Sequence, residues 1–147
     1  MTVTRRSSIV EALRVALETI DPSAGFNIEM GTGNVYPRMI FWDEVNEFPT
    51  ICLASGNESI EYQGGGFKDR YLEVILRCYV KDENSLVTLE LLLEDIENII
   101  DNNGRLAYQD SSGGNGTTRD ILIINIDTDQ GALAPLGVGE ILLQVKY

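Results

Sequence analysis

Apolar residues return at helical spacing in two stretches of the chain, and at every second position in the stretch between them. Ile9, Leu13, Ala16, Leu17 and Ile20 make one stripe with Glu11, Arg14 and Glu18 opposite it, which predicts a helix over residues 8–20. Ser8 and Glu11 have the form of a capping box. Asp21-Pro22 stops the helix, because a residue before proline is pushed out of helical geometry. Residues 23–35 are glycine-rich and ambiguous, and a short strand is expected to start near Val35 and run to Trp42. An acidic loop follows, Asp43-Glu44-Val45-Asn46-Glu47-Phe48-Pro49. Residues 50–54 and 59–63 read as two strands joined by Ser55-Gly56-Asn57-Glu58, and Gly64-Gly65-Gly66 as a loop or bulge.

The strongest strand spans residues 71–80. Leu72, Val74, Leu76, Cys78 and Val80 share one face and are expected in the core, while Tyr71, Glu73, Ile75, Arg77 and Tyr79 share the other. That second face mixes charge with aromatic and apolar surface, the texture of a face that meets another chain. A second helix is predicted over residues 84–101, with Asp82 or Asn84 as N-cap and Asn102-Asn103-Gly104 as the stop. Its apolar stripe is Leu89, Leu92, Leu93, Ile96, Ile99 and Ile100, and Val87 and Leu91 point outward as a candidate subunit contact. Residues 109–118 form a polar, glycine-rich segment expected to be a mobile loop in the isolated protein. Two strands close the chain, at 120–128 and 139–147, and the unbroken Ile121-Leu122-Ile123-Ile124 marks the first of them as central or buried on both faces. The order predicts an α+β fold, two helices packed on one face of a mostly antiparallel sheet, as a single domain over residues 1–147.

Composition narrows the function. With 147 residues and 44% hydrophobic side chains the chain has material for a core without disulfides. It holds 23 acids against 11 Lys and Arg and no His, for a net charge of −12, so the chain as a whole repels nucleic acid and lacks the commonest general base and metal ligand. Residues 1–80 carry 7 basic and 11 acidic groups, giving −4, and residues 81–147 carry 4 and 12, giving −8. An edge near Arg5, Arg6 and Arg14 is thus locally positive and another strongly negative, which suits head-to-side packing of subunits. Cys52 and Cys78 lie in apolar strand runs and are expected as buried free thiols. The start of the chain lacks an apolar signal core, and its longest apolar run is far short of the ~20 residues of a membrane span, so an intracellular setting is the default expectation.

Motifs for chemistry fail on inspection. Gly31-Thr32-Gly33 lacks the third glycine and the lysine of a phosphate loop, and reads as a turn. Asp127-Thr128-Asp129-Gln130-Gly131 is out of register for a calcium loop and reads as a strand end with a turn. Asp43 with Glu44 and Glu94 with Asp95 are expected on solvated surface, away from the dry cleft an acid–base pair needs. No metal, cofactor or catalytic residue is assigned. Glu90, Glu94, Glu97 and Asp101, spaced by four, three and four, place like charges in one narrow helical stripe. This is either a plain solvated face or a negative surface turned to a basic partner or a channel.

The whole chain resembles the tail terminator, or tail-completion, proteins of tailed bacteriophages. The resemblance rests on the opening amphipathic helix Ile9-Val10-Glu11-Ala12-Leu13-Arg14-Val15-Ala16-Leu17, the stretch from Trp42-Asp43-Glu44 to Phe48-Pro49-Thr50-Ile51, and the long strand 71–80. A Leu-rich helix ending in Ile99-Ile100 and the closing strands, the last reading Ile-Leu-Leu-Gln-Val-Lys-Tyr, complete it. What it implies is a structural virion protein of the tail or neck, made in the host cytoplasm. Such a protein forms a homo-oligomeric ring, a hexamer, on the tail tube protein. It stops tube polymerisation and offers a docking surface to the connector of the DNA-filled head. Genomic DNA would slide through an acidic lumen without specific binding, and no membrane is involved. Trp42, Phe67, Tyr71, Arg77 and Tyr79 are the candidate interface residues, because large aromatics and Arg dominate interface energies. The acidic stripe Glu90, Glu94, Glu97 and Asp101 is the candidate lumen. Head–tail connectors of the neck share this size and texture and stand as the alternative, with a small-molecule-binding α+β domain as a third reading and an acid-only hydrolase as a fourth.

Overall fold

The computed structural model describes residues 4–31, 33–109 and 114–147. Among them run α1 (Arg5–Leu17), β1 (Val35–Tyr36), β2 (Thr50–Tyr62), β3 (Lys68–Lys81), α2 (Ser85–Asn102), β4 (Ala107–Gln109), β5 (Asn115–Thr117), β6 (Asp120–Thr128) and β7 (Leu136–Lys146). The main sheet has the order β1-β2-β3-β7-β6, antiparallel except where β1 meets β2, and β4–β5 is a separate hairpin. Both helices lie on the same side of the main sheet, as the α+β expectation requires. Ile9, Leu13 and Leu17 of α1 and Leu89, Leu92, Ile96 and Ile100 of α2 meet Leu72, Val74, Leu76, Cys78 and Val80 of β3 in one core. Each such side chain, fully withdrawn from water, contributes about 1.5–3 kcal/mol.

Several boundaries differ from the sequence expectation. The first helix begins at Arg5, because Thr4 and Ser7 form the capping box in place of Ser8 and Glu11. Ile20 lies beyond the helix but stays in the core. The strand at Val35 lasts two residues, and the chain then folds back as a turn at Trp42–Glu44. The two strands expected at 50–54 and 59–63 are one strand with a bulge, in which Gly56 and Asn57 stand between the Ser55–Val74 and Glu58–Leu72 pairs. Arg6 donates to the carbonyl of Gly56 at 2.6 Å, tying α1 to the bulge. Asn84 takes the N-cap position of α2 without a side-chain bond, and the carboxylate of Asp82 accepts from its backbone N–H instead. The segment 109–118, expected as a mobile loop, holds the last residue of β4 and all of β5, while its middle at 110–113 lies outside the described residues.

The largest correction concerns β6. It is an edge strand, with Leu122 46% and Ile124 52% exposed. A bulge between Ile123 and Asn125 inserts Ile124 as an extra residue. Ile121, Ile123 and Ile126 therefore turn to the core while Leu122 and Ile124 face out. The unbroken apolar run records a bulge, not burial on two faces. The calcium-like stretch closes the β6–β7 turn, where the Asp129 carboxylate accepts from the N–H groups of Leu133 and Val138.

Cys52 and Cys78 are free and buried, on opposite faces of the sheet. Cys78 belongs to the helix-side core, while Cys52 packs with Ile40 and Tyr79 on the other side. Burial pushes both thiols above their ordinary range, which suppresses the reactive thiolate. Thiol titration of the native protein should therefore be slow, and should yield two free thiols after denaturation. Recovery of none would overturn this placement.

Candidate assembly surfaces

Four surfaces leave apolar side chains in water. The first is the face of the sheet away from the helices. Segment 36–48 covers one end of it, where Tyr36, Met39, Val45 and Phe48 close over Ile40, Cys52 and Tyr79. Tyr79 departs here from its expected place on the surface. It is 3% exposed, and its hydroxyl donates to the Ile40 carbonyl at 2.8 Å. It shares the strand face of Tyr71 and Arg77, but the folded-back segment makes it a core residue. The rest of the face is open. Arg77 donates to one Glu140 oxygen from two nitrogens, at 2.8 and 2.5 Å, across the β3–β7 register. This pair raises the Arg77 pKa above its ordinary value. Lys146 lies 5.4 Å from the centre of the Tyr71 ring.

The second surface is the outer side of α2. Glu90, Glu94, Glu97 and Asp101 are all exposed, as the expected stripe requires, and Val87 is 61% exposed beside them. Glu90, Glu94 and Glu97 line a hollow of about 530 Å³ with Leu86, Leu91 and Ile126. Asp95 does not belong with Glu94 on the solvated side. It is 1% exposed, and its carboxylate accepts from the backbone N–H groups of Asn27 and Ile28 at 2.8–3.0 Å. Its position, three residues after Leu92 and four before Ile99, was the available signal, since that phase faces the core.

The third surface is an apolar groove of about 810 Å³ between α1, residues 37–39 and β4, with Val10, Val15, Met39 and Tyr108 among its walls. Phe41 and Trp42, 69% and 62% exposed, follow the 37–39 wall after the buried Ile40. The fourth is the outer half of the β2–β3 hairpin. Pairing of β3 with β7 begins at Tyr71, and residues 59–68 are exposed without a break. This arm presents Ile60, Tyr62 and Phe67 at 39%, 74% and 70% exposure. Gly65 and Gly66 turn it with φ of +80° and +83°, a region that L side chains resist.

The five candidate interface residues are thus dispersed. Tyr71 and Arg77 share the open sheet face, Phe67 is at the arm tip, Trp42 is on the covering segment, and Tyr79 is buried. Sequence reasoning missed Ile60, Tyr62 and Phe41. The signal for the first two was a run of alternating residues entering three glycines, the pattern of a hairpin end.

Apolar groups left in water on several separate surfaces mark candidate contacts with other molecules. Comparison with known proteins gives the family. The model of the family described as Bacteriophage Tail Tube Terminator Protein matches residues 3–147. The tail tube terminator protein p142 of Escherichia phage T5 is 33% identical over 152 residues, covering 97% of this chain and 92% of the relative. The chain belongs to the bacteriophage tail tube terminator family, and it is a structural protein rather than an enzyme. A chain in the structure titled "Virion of native gene transfer agent (GTA) particle" has the same fold, with a TM-score of 0.64 at 10% identity, covering 95% of this chain and 93% of that one. A phage tail terminator role as a virion component follows.

Proposed function

We propose that copies of this chain close into a ring on the end of the tail tube, stop its polymerisation and present the surface on which the head docks. The observation that carries this reading is the family match along residues 3–147. Six copies are proposed for the ring, with the tube protein on one side and the head–neck connector on the other, assembled in the host cytoplasm. The exposed stripe of Glu90, Glu94, Glu97 and Asp101 supports a negatively charged lumen that lets DNA pass without adhering. Trp42, Phe67, Tyr71 and Arg77 are proposed contact residues. Each copy brings a charge of −12, so added salt favours closure by screening self-repulsion.

Loss of the gene from the producing phage should leave heads without joined tails and tubes of abnormal length. Purified protein added to such tubes should sit on their ends and not their sides in electron micrographs. Unchanged tail length and head joining would overturn the ring-cap reading.

A further inference from the structure

We propose that the β2–β3 arm is an ordered strut in the free chain, held by polar braces on both of its faces, and that Tyr147 locks its base to the body of the fold. The braces lie within one copy, so they act whether or not copies join in a ring. A two-stranded hairpin standing alone is marginal in water. The pairs from Ile60–Arg70 to Tyr62–Lys68 lie beyond the reach of β7, which supports β3 only from Tyr71 onward. The β2 bulge just before Glu58 is also a place where a strand bends. Without added support the arm would swing there.

Strand register sorts the supports. Glu58 pairs with Leu72, a core residue on the helix side, so Glu58, Ile60 and Tyr62 share that side with Arg70 and Lys68. There one Glu58 carboxylate oxygen accepts from Arg70 at 3.0 Å and the other accepts from the Tyr147 hydroxyl. The Glu58 and Arg70 side chains are 10% and 21% exposed, so water screens this pair less than an open surface pair. Farther out, Lys68 stands 5.1 Å from the centre of the Tyr62 ring. Asp69 pairs with Glu61 and faces the other side of the sheet. It accepts from Arg119, just before β6, at 2.6 Å and from the Gln63 side-chain amide at 3.1 Å.

Tyr147 joins the base of the arm to α1, β4 and β7. Its backbone N–H donates to the Arg70 carbonyl at 3.1 Å, which carries the β3–β7 ladder one bond toward the arm. The residue is 7% exposed, and its ring meets Tyr108 of β4 edge-on with centres 6.2 Å apart. The Arg5 guanidinium of α1 lies 5.3 Å from the same ring. Burial, and after it the bond to Glu58, pushes the hydroxyl up to about 12, so it keeps its proton and donates throughout the neutral range. The donor is thus carried on a ring fixed by the body, and it grips the arm where regular pairing resumes after the bulge. An arm ordered beforehand presents Ile60, Tyr62 and Phe67 without a further ordering cost when another molecule meets them.

Backbone amide NMR relaxation of the full free chain tests this. In the parent, order parameters at 59–62 and 68–70 should match the ~0.85 of rigid backbone. Glu58→Ala removes the helix-side brace, and combined with Arg119→Ala it releases both faces. Order parameters in the arm should then fall below about 0.6 while those at 72–80 hold. Tyr147→Phe keeps the ring and removes only the hydroxyl, so amide exchange in the arm should speed up by about tenfold, as for the loss of one hydrogen bond to a charged group. Arg119→Ala alone acts on a side chain 55% open to water and should speed it by about threefold. A parent arm that already relaxes like a flexible tail would overturn the strut. So would a double variant whose arm stays near the rigid value. Arm exchange at the parent rate in Tyr147→Phe would remove the role given to Tyr147.

Discussion

Replacing Asp95 by alanine is expected to cost about 3 kcal/mol, the loss of two charge-assisted hydrogen bonds. The Asn27 N–H reaches both carboxylate oxygens, at 2.9 and 3.0 Å, and the Ile28 N–H reaches one at 2.8 Å. These bonds pin the loop after α1 to the middle of α2, across 67 and 68 residues of sequence. Without the carboxylate, the Ile28 N–H faces a methyl group among apolar neighbours, since Ile28 itself packs against the core. Asp95→Asn keeps one accepting oxygen and should cost less than half as much. The contrast with Glu94→Ala is the internal control, because Glu94 is exposed and its loss should stay within about 0.5 kcal/mol. Urea titrations followed by circular dichroism decide it, with a lower midpoint at an unchanged slope for Asp95→Ala. Equal midpoints for the Asp95 and Glu94 variants would show that the buried carboxylate does not hold the loop.

The same helix shows how much of the fold is legible in sequence. Its apolar stripe and its acidic stripe both follow from the 3.6-residue period, and the structure puts each on the side expected. Residue type puts Asp95 on the surface and helical phase puts it in the core, and residue type is the weaker guide when backbone donors from a distant loop are ready to meet a carboxylate. Strand 71–80 was legible because alternation alone sorts its faces. It could not tell that Tyr79 would be covered, since the covering segment 36–48 has no period of its own and is placed by tertiary packing. The bulges in β2 and β6 were illegible for a related reason. A bulge shifts alternation by one residue, so an apolar run such as 121–124 reads as double burial until the partner strand is known. The candidate site was legible as a kind of surface and not as a place. Phe67 and Trp42 were found by their chemistry, whereas the arm and the groove exist only once β2 is seen to be a single strand that outruns β7.

The second large effect is expected at Gly137, where α2 rests on β7. Gly137 pairs with Val80 and lies under the first turn of the helix. A Cβ added there would stand 2.7 Å from a Val80 methyl, 3.2 Å from the Ser85 carbonyl oxygen and 3.3 Å from the Ser85 Cβ. Val80 is 1% exposed and Ser85 2% exposed, so neither has room to withdraw. Gly137→Val, which adds two methyl groups beyond that Cβ, should cost about 3 kcal/mol or more through overpacking. At Gly139 the nearest atom to an added Cβ is a Leu89 methyl at 3.1 Å, so Gly139→Ala should cost about 1 kcal/mol, because a side-chain terminus yields more easily than a backbone carbonyl. Gly64→Ala meets nothing within 4 Å and should stay within about 0.5 kcal/mol. The expected order of urea midpoints is therefore Gly64→Ala, then Gly139→Ala, then Gly137→Val. A Gly137→Val protein with the midpoint of the parent would mean that the helix can ride above β7 at no cost, and that the glycines do not set its height.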